Sequence, residues 1–481
     1  VQAPRIDGWA QVWLGFGGQW PLDVKFGFSR LSLDQLKPVG GLDLEGRVRG
    51  RGRLSGPYSQ LKLDSQLTGL DVVLSGVEIG ETLKTRLWAD NLRVLHFDSL
   101  ESEFGETTAN GAVVVAFEEE ILLDMKLATK EGKIADLVGL AVDVPGLSGS
   151  ANGSVELKGP YDALSGTAKF SLVDTQLVNE RFDDGLLTAW MDDGRITIEE
   201  FSLRRSGGFE SLLARGNIAA NGDLNIDVAS GGLRLESLDN VGVHSLPLRG
   251  KWALDARIQG TLTRPEPHGR LVARETWFAG GPVEDTMLFF DTDDGVLEFE
   301  GGVAGKGLGV AGAVDLWSDG AYAIHADLDS FPLHILYPQA SDDQPIRAGM
   351  SGQLDIAGSW MAVPDDAPGM QTLFQLNADD VWLTWGGHTY RSDTDWIVAM
   401  ADKEWNFDGI SLRDEHSWFR FSGVRSADGT LAGEGGGQLE LDILRAFVSE
   451  IERAEGVAAV NLSVVGQGRN VEPMLDISVD E

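Results

Sequence analysis

The chain has 481 residues, of which 42% are hydrophobic, so it is long enough for several domains or a repeat array and too apolar to be disordered. Its 39 basic and 75 acidic side chains give a formal net charge of −36. That charge argues against a nucleic-acid partner and disfavours direct adsorption to an anionic membrane surface. The absence of cysteine excludes disulfides and thiol nucleophiles.

No stretch of the sequence approaches the roughly twenty apolar residues of a membrane-spanning helix. The sequence opens at Val1 with neither a methionine nor a recognisable signal peptide. We therefore expect it to be a processed or excised piece of a longer protein.

The first recurring element is an alternating strand that ends at Gly-Pro-Tyr. It occurs at residues 52–59 and again at 154–162, where Val155 and Leu157 alternate with Glu156 and Lys158. Alternation of this kind gives a strand one apolar and one solvated face, and proline ends the strand because it has no N–H to donate. Weaker copies follow at residues 258–271, 354–360 and 464–468.

Two further markers keep the same spacing of about one hundred residues. Asn-Gly and Asp-Gly pairs predict tight hairpins, because they accept the positive φ angles that two-residue turns need. Apolar residues spaced by three or four predict one short helix in each copy, except where two prolines in 331–338 allow at most one turn. The turn pairs are Asp193-Gly194, Asn221-Gly222, Asp294-Gly295, Asp319-Gly320 and Asp428-Gly429, and the helical stretches are 32–36, 134–138, 235–238 and 441–448.

Together the markers predict an all-β, mostly antiparallel fold: an elongated curled sheet of half-pipe type, built from repeats of about 100 residues with a few short helices. Each repeat is expected to contain six or seven short strands. The predicted units are a tail of a preceding repeat at 1–45, repeats at 46–143, 144–245, 246–341 and 342–456, and the start of a truncated repeat at 457–481.

In the strands that alternate most regularly, the apolar residues at every second position are candidates for an apolar face shared by the repeats. Such a face is either closed by another sheet or left as a trough for an apolar ligand, and the alternation fits both arrangements. The candidate residues are Val155, Leu157, Leu224, Ile226, Val228, Leu254, Ile258, Leu354, Ile356, Leu439 and Leu441.

The glycine-terminated strands at 52–63, 153–168, 258–271 and 354–360 resemble those of the AsmA-like family of periplasmic proteins, and most closely the TamB type. The resemblance implies a half-pipe with a hydrophobic groove that carries phospholipid acyl chains between the inner and outer membranes of a Gram-negative envelope, or supports outer-membrane assembly. It also implies a partner, an outer-membrane β-barrel of the TamA type, that would bind a region outside this fragment. The family's membrane anchor would likewise lie outside it.

No catalytic or cofactor-binding motif emerges from the sequence, so we expect a protein that is not an enzyme and has no cofactor. The acidic turns at 183–185, 192–194 and 291–295 lack the spacing of a calcium loop and are explained as Asp-Gly hairpins. The seven histidines never lie within five residues of each other, which disfavours a local zinc site. The alternative function is a structural or adhesive surface protein with a sealed core.

The 14 tryptophans outnumber the 5 tyrosines. Exposed indoles on a sheet could bind sugars or line a lipid trough. Packing across neighbouring strands is the favoured interpretation. The indoles concentrate at Trp9, Trp13 and Trp20 and again at Trp382, Trp385, Trp396, Trp405 and Trp418.

Overall fold

The computed structural model describes most of the chain, and every structural statement below concerns these residues. They are 7–15, 21–33, 44–74, 77–139, 146–161, 163–177, 180–205, 211–234, 236, 248–278, 281–303, 307–318, 320–333, 347–359, 372–385, 388–401, 403–441, 456–467 and 470–479.

The part of the chain before residue 235 consists of strands and one short helix. In order they are β1 (Asp7–Leu14), β2 (Pro21–Ser32), β3 (Leu44–Pro57), β4 (Lys62–Leu74), β5 (Val77–Ala89), β6 (Val94–Phe104), β7 (Thr107–Phe117), β8 (Ile121–Lys133), α1 (Ile134–Gly139), β9 (Ser148–Pro160), β10 (Ser165–Leu177), β11 (Glu180–Asp192), β12 (Arg195–Arg204), β13 (Ser211–Ile218) and β14 (Leu224–Arg234).

The remaining described part contains strands β15 to β30. They are β15 (Leu248–Thr261), β16 (Arg264–Phe278), β17 (Gly281–Val283), β18 (Thr286–Asp293), β19 (Val296–Val303), β20 (Leu308–Asp315), β21 (Ala321–Phe331), β22 (Arg347–Ser359), β23 (Leu373–Trp385), β24 (His388–Arg391), β25 (Trp396–Ala401), β26 (Glu404–Arg413), β27 (Trp418–Arg425), β28 (Thr430–Glu440), β29 (Val457–Gln467) and β30 (Asn470–Val479).

The chain divides into two compact units, which are treated separately below. Unit 1 comprises Val1–Gly231 and Arg257–Thr263, and unit 2 comprises Gly232–Ala256 and Arg264–Glu481. In unit 1, consecutive strands from β1 to β14 pair with each other antiparallel. In unit 2, β17 and β18 both pair with β16, and β24 and β25 both pair with β23. The predicted all-β fold with a curled antiparallel sheet and little helix is confirmed.

Two predicted strand ends and two predicted hairpins are confirmed. Strands β3 and β9 end at Pro57 and Pro160, and each proline carbonyl accepts a hydrogen bond from the N–H three residues later, at 2.8 and 3.0 Å. The φ angles are 49° and 72° at Asp193-Gly194, and 45° and 84° at Asp294-Gly295. Positive φ at both central residues is the geometry that tight hairpins need.

Breaks in strand register recur at corresponding places and give the sheet a repeat-like architecture. A β-bulge adds a residue to one strand and bends it. The bulges occur at equivalent positions of different repeats, so the strands bend at the same point in each repeat. One set lies at Phe28/Leu31, Thr129/Gly132 and Leu328/Phe331, and another at Phe97/Leu100, Ile198/Phe201 and Phe407/Ile410. The repeat boundaries given above stay predictions.

One predicted turn is wrong, and most predicted helices lie outside the described residues. Asp183-Asp184-Gly185 is inside β11, where the Asp184 carboxylate accepts a hydrogen bond from Arg204 on β12 at 2.8 Å. Gly185 is there because a Cβ would lie 2.6 Å from the Ser202 carbonyl oxygen. Of the predicted helices, only the one at 134–138 lies completely within the described residues, and there the structure forms α1.

Candidate functional site: an apolar groove in unit 1

The strands of unit 1 have two different faces. On β4, Leu63, Ser65 and Leu67 are buried or half-buried, whereas Asp64 and Gln66 between them are exposed. We call the first the inner face and the second the outer face. This separation follows directly from the two-residue period of a strand.

The inner face of unit 1 forms a groove of about 700 Å³. Strand β4 lines it from Leu63 to Val72 and β6 lines it from Leu95 to Phe104. The lining consists of Phe26, Phe28, Leu31, Leu33, Val48, Leu63, Ser65, Leu67, Gly69, Val72, Leu83, Thr85, Leu87, Leu95, Phe97, Leu100, Ser102, Phe104, Ala109, Val113, Val115, Phe117, Leu123, Met125, Leu127, Ala128, Thr129, Leu137, Gly153, Val155 and Phe170.

Three of the four hydroxyl residues in the lining donate to backbone carbonyls. Ser65 donates to the Leu87 carbonyl at 3.2 Å, Thr85 to the Asp98 carbonyl at 3.2 Å, and Thr129 to the Thr108 carbonyl at 2.9 Å. A buried hydroxyl needs such a partner because an unpaired one costs free energy. With these donors used, the groove presents mainly hydrocarbon surface.

Beyond the groove, the inner face of β9 to β12 is filled. Ile134 of α1 packs in a buried cluster with one residue from each of these four strands. Leu203 on β12 has no solvent exposure. The cluster residues are Ile134, Ala151, Leu172, Phe182 and Leu203, with Leu137 and Phe170 packed against it. Since Leu137 and Phe170 also line the groove, the open region ends against this core.

Helix α1 is held in place by its first turn. Asp136 accepts hydrogen bonds from the Glu106 N–H at 2.9 Å and from the Thr107 hydroxyl at 2.8 Å. The same hydroxyl oxygen accepts the Lys133 N–H at 2.7 Å. A carboxylate in the first turn is also favoured by the helix dipole. The β6–β7 hairpin therefore fixes the helix that covers the core.

Charged pairs between neighbouring strands stabilise the outer face. The Arg86 guanidinium binds both Asp64 oxygens at 3.0 and 2.9 Å, and its hydrogen bond lowers the pKa of the Asp64 carboxyl. Lys84 donates to Glu101 at 2.7 Å and to Glu103 at 3.4 Å, and these two carboxylates raise the pKa of the Lys84 ammonium. Exposed pairs of this kind stabilise a fold only slightly. Their main role is to keep the outer face hydrated.

Of the eleven residues proposed from sequence, only Val155 lines the groove. It lies opposite Leu127 on β8 and Ala168 on β10. The other ten are half-buried, and most alternate with exposed neighbours. They are Leu157 on β9, Leu224, Ile226 and Val228 on β14, Leu254 and Ile258 on β15, Leu354 and Ile356 on β22, Leu439 on β28, and Leu441 directly after it.

Sequence reasoning missed most of the lining residues of β4 to β8. Their parity is visible in the sequence, for example at Leu83, Thr85 and Leu87. The hydroxyl residue interrupts the apolar series, so these strands did not appear as clean as Ile226 and its neighbours. A search that accepted Ser and Thr on the apolar parity would have found them.

The tryptophans fall into a packed group and an exposed group. Trp405 packs against Phe374 with ring centroids 5.3 Å apart, and the Trp396 indole donates to the Ser411 carbonyl at 3.0 Å. By contrast, Trp9 and Trp13 are 59% and 62% exposed. Cross-strand packing explains the first group and leaves the second unexplained.

Within the described ranges, no group of three or more His, Asp or Glu side chains is arranged to hold a metal ion. None of the helical segments described is long and apolar enough to cross a bilayer.

The fold and the groove define a repeat-like all-β protein whose antiparallel sheet curls around an apolar groove in unit 1. Comparison of the chain with protein-family models, curated proteins and solved structures found no match.

Proposed function

We propose that the groove of unit 1 binds phospholipid acyl chains and that the chain is a segment of a bridge-like lipid-transfer protein. The observation that carries this proposal is the continuous apolar lining of a cavity of about 700 Å³, to which every strand from β2 to β10 contributes. A cavity of this size is within the range of sites that bury a small organic ligand.

The chemistry of the groove fits hydrocarbon better than a polar ligand. Removing a CH₂ group from water gains about 0.8 kcal/mol, and the lining hydroxyls of Ser65, Thr85 and Thr129 already donate to backbone carbonyls. Many similar aliphatic side chains give an acyl chain many similar positions and no single deep minimum. Sliding along the groove would then meet low barriers.

The wider setting of the proposal rests on the resemblance to the AsmA-like family. On the strength of that resemblance we propose that the protein acts in the Gram-negative periplasm, bridging the inner and outer membranes. There it carries phospholipid, supports outer-membrane assembly, or does both. A TamA-type β-barrel would bind a region outside this fragment. Lipid transfer of this kind needs no catalytic residue and no cofactor.

Neighbouring residues on β7 allow a matched test. Val113 lines the groove, whereas Val114 points to the outer face opposite Asp124. We expect Val113→Arg to remove lipid that copurifies with the protein, because a guanidinium in the groove must be desolvated to admit an acyl chain. Val114→Arg places the same charge in water and should leave the bound lipid unchanged. Native mass spectrometry and lipid extraction measure both.

Equal lipid content in the two variants, or no lipid in the unsubstituted protein after purification from a lipid-containing extract, would contradict the proposal. Circular dichroism on both variants checks that the strands are retained.

The second candidate function is a structural or adhesive β-repeat protein with a sealed core and no lipid ligand. It is favoured by the filled cluster around Leu203 at β9 to β12. For this candidate Val113→Arg would destabilise the fold while no lipid is present in either protein.

A further inference from the structure

The outer face of β3 carries four arginines in a chain whose net charge is −36. Arg47, Arg49, Arg51 and Arg53 are all exposed, and Val48 between them lines the groove on the opposite face. Side chains two residues apart point to the same side of a strand. The four guanidinium groups therefore form one row about 20 Å long.

Neighbouring carboxylates neutralise only part of this positive charge. Arg53 binds Asp23 through two hydrogen bonds at 2.7 and 2.6 Å, but Arg51 donates to the neutral Gln66 amide at 3.1 Å. Arg47 is 3.9 Å from Asp71, with both side chains more than half exposed. Arg49 has no hydrogen bond or ion pair with any residue that the structure describes.

The strand beside β3 adds a further positive charge. Lys25 on β2 lies opposite Arg53 and is exposed. On the other side, Asp64 on β4 is already paired with Arg86 at 2.9 Å. Asp23, Asp64 and Asp71 each have an arginine partner already, so Lys25, Arg49 and Arg51 give this part of the outer face a local excess of positive charge.

Two tryptophans border the basic row on the same face. Trp9 lies opposite Gly27 and Trp13 opposite Asp23 in the β1–β2 pairing. The Trp9 indole covers Gly27 so closely that a Cβ there would lie 2.7 Å from its Nε1. Both indoles nevertheless remain more than half exposed.

We propose that this surface, formed by Trp9, Trp13, Lys25, Arg47, Arg49 and Arg51, docks on an anionic lipid bilayer. Basic side chains are attracted to anionic headgroups, and indoles favour the boundary between headgroups and hydrocarbon. The row stands on an open sheet face, which fits a flat partner. A single nucleic-acid strand instead requires a basic groove with aromatic rings along it. The negative net charge of the whole chain disfavours membrane adsorption, but the charge of this local surface is positive. The proposal is independent of what the groove binds.

Co-sedimentation with vesicles tests the proposal on the full chain. Vesicles of phosphatidylcholine alone are compared with vesicles that contain about one-third phosphatidylglycerol. We expect binding to the anionic vesicles only, and loss of that binding as salt shortens the screening length from about 10 Å at 0.1 M to about 3 Å at 1 M.

Charge-removing variants assign the binding to this surface. The combined substitution Arg47→Gln, Arg49→Gln and Arg51→Gln should weaken vesicle partitioning about 100-fold, at about fivefold for each side chain. The matched control removes three exposed arginines of β11 to β13 by Arg181→Gln, Arg195→Gln and Arg215→Gln and should keep most of the binding. Arg49→Gln alone, which breaks no described contact, should cost about fivefold and serves if the triple variant does not fold.

Three outcomes would overturn the proposal. The first is equal sedimentation with both vesicle types, and the second is an equal loss in the two triple variants. The third is binding of a single-stranded oligonucleotide without any binding of vesicles, which would make the surface a polyanion site of another class.

Discussion

Strands β4 to β8 and strands β9 to β12 belong to the same unit and use the same antiparallel pairing, but their inner faces differ. In the first region, Leu67 and Leu127 are half-buried and line an open groove. In the second, Leu172 and Leu203 are buried under α1. The difference arises because α1 covers the second region. The strands themselves are not the cause, since both regions alternate apolar and polar residues alike.

This comparison shows what decides whether a curled sheet binds a ligand. Alternation of apolar and polar residues gives each strand an apolar face. Whether a helix packs on that face then determines whether it forms a closed core or an open groove. Here one helical turn, fixed through Asp136 and Thr107, separates a packed core from a groove. Stability is expected to depend on the first region less than on the second.

The largest expected effect comes from truncating the core. Leu203→Ala should reduce the free energy of unfolding by about 2–5 kcal/mol, because it removes a fully buried side chain and leaves a cavity. Leu67→Ala should cost less than about 1.5 kcal/mol, because its side chain already faces the groove and is only partly removed from water. Urea denaturation measures both. Equal losses would mean that the two regions are packed alike.

A smaller effect is expected where α1 is attached. Thr107→Val keeps the side-chain volume but leaves the Lys133 N–H without its acceptor and removes one of the two hydrogen bonds to the Asp136 carboxylate, which should cost about 1–3 kcal/mol. Hydrogen exchange should then become faster in α1 and at β9 to β12, while β4 to β6 keep their protection. Uniform acceleration throughout unit 1 would show that the helix does not separate the two regions.

Removing an ion pair from the outer face should have the same small effect on stability in both regions. Arg86→Met in the groove region and Arg204→Met in the core region each remove an exposed partner of an aspartate, Asp64 or Asp184. Each should change the unfolding free energy by less than about 1 kcal/mol, and salt should reduce the effect. A large loss at only one of the two positions would show that the outer face also differs between the regions.

The smallest effect is a dependence on pH. The hydrogen bond from Arg86 lowers the pKa of Asp64 in the folded state, so this carboxylate stabilises the fold above its unfolded pKa of about 3.9. The contribution is lost as pH falls through the lower, folded pKa. Asp64→Asn should make unfolding slightly less sensitive to acid, as a comparison of urea midpoints at several pH values would show. An unchanged acid dependence would mean that the pair contributes nothing.

Sequence patterns were sufficient for the strands and their ends. Pro57 and Pro160 end strands because proline cannot donate to the ladder, and Asp193-Gly194 forms a hairpin because both residues accept positive φ. These are local effects, which adjacent residues determine.

The division into groove and core could not be predicted in this way. It depends on α1 meeting residues such as Phe182 and Leu203, which lie about 50 and 70 residues further along the chain. The hydroxyls of Ser65 and Thr85 look polar in the sequence, and only their cross-strand carbonyl partners make them compatible with an apolar lining. The basic row of β3 could not be predicted from the net charge of the chain, because a net charge does not show how charges are distributed between the faces of a sheet.

The most direct test of the central claim is photocrosslinking at matched positions in unit 1. A photoreactive residue placed at Leu67 or Leu127 should capture phospholipid. The same residue at the outer position Lys126, next to Leu127, or at Leu172 in the core, should capture none. This pattern would place hydrocarbon in the groove and exclude it from the covered region. Capture at Leu172 as strong as at Leu67, or no capture at any inner position, would contradict the account.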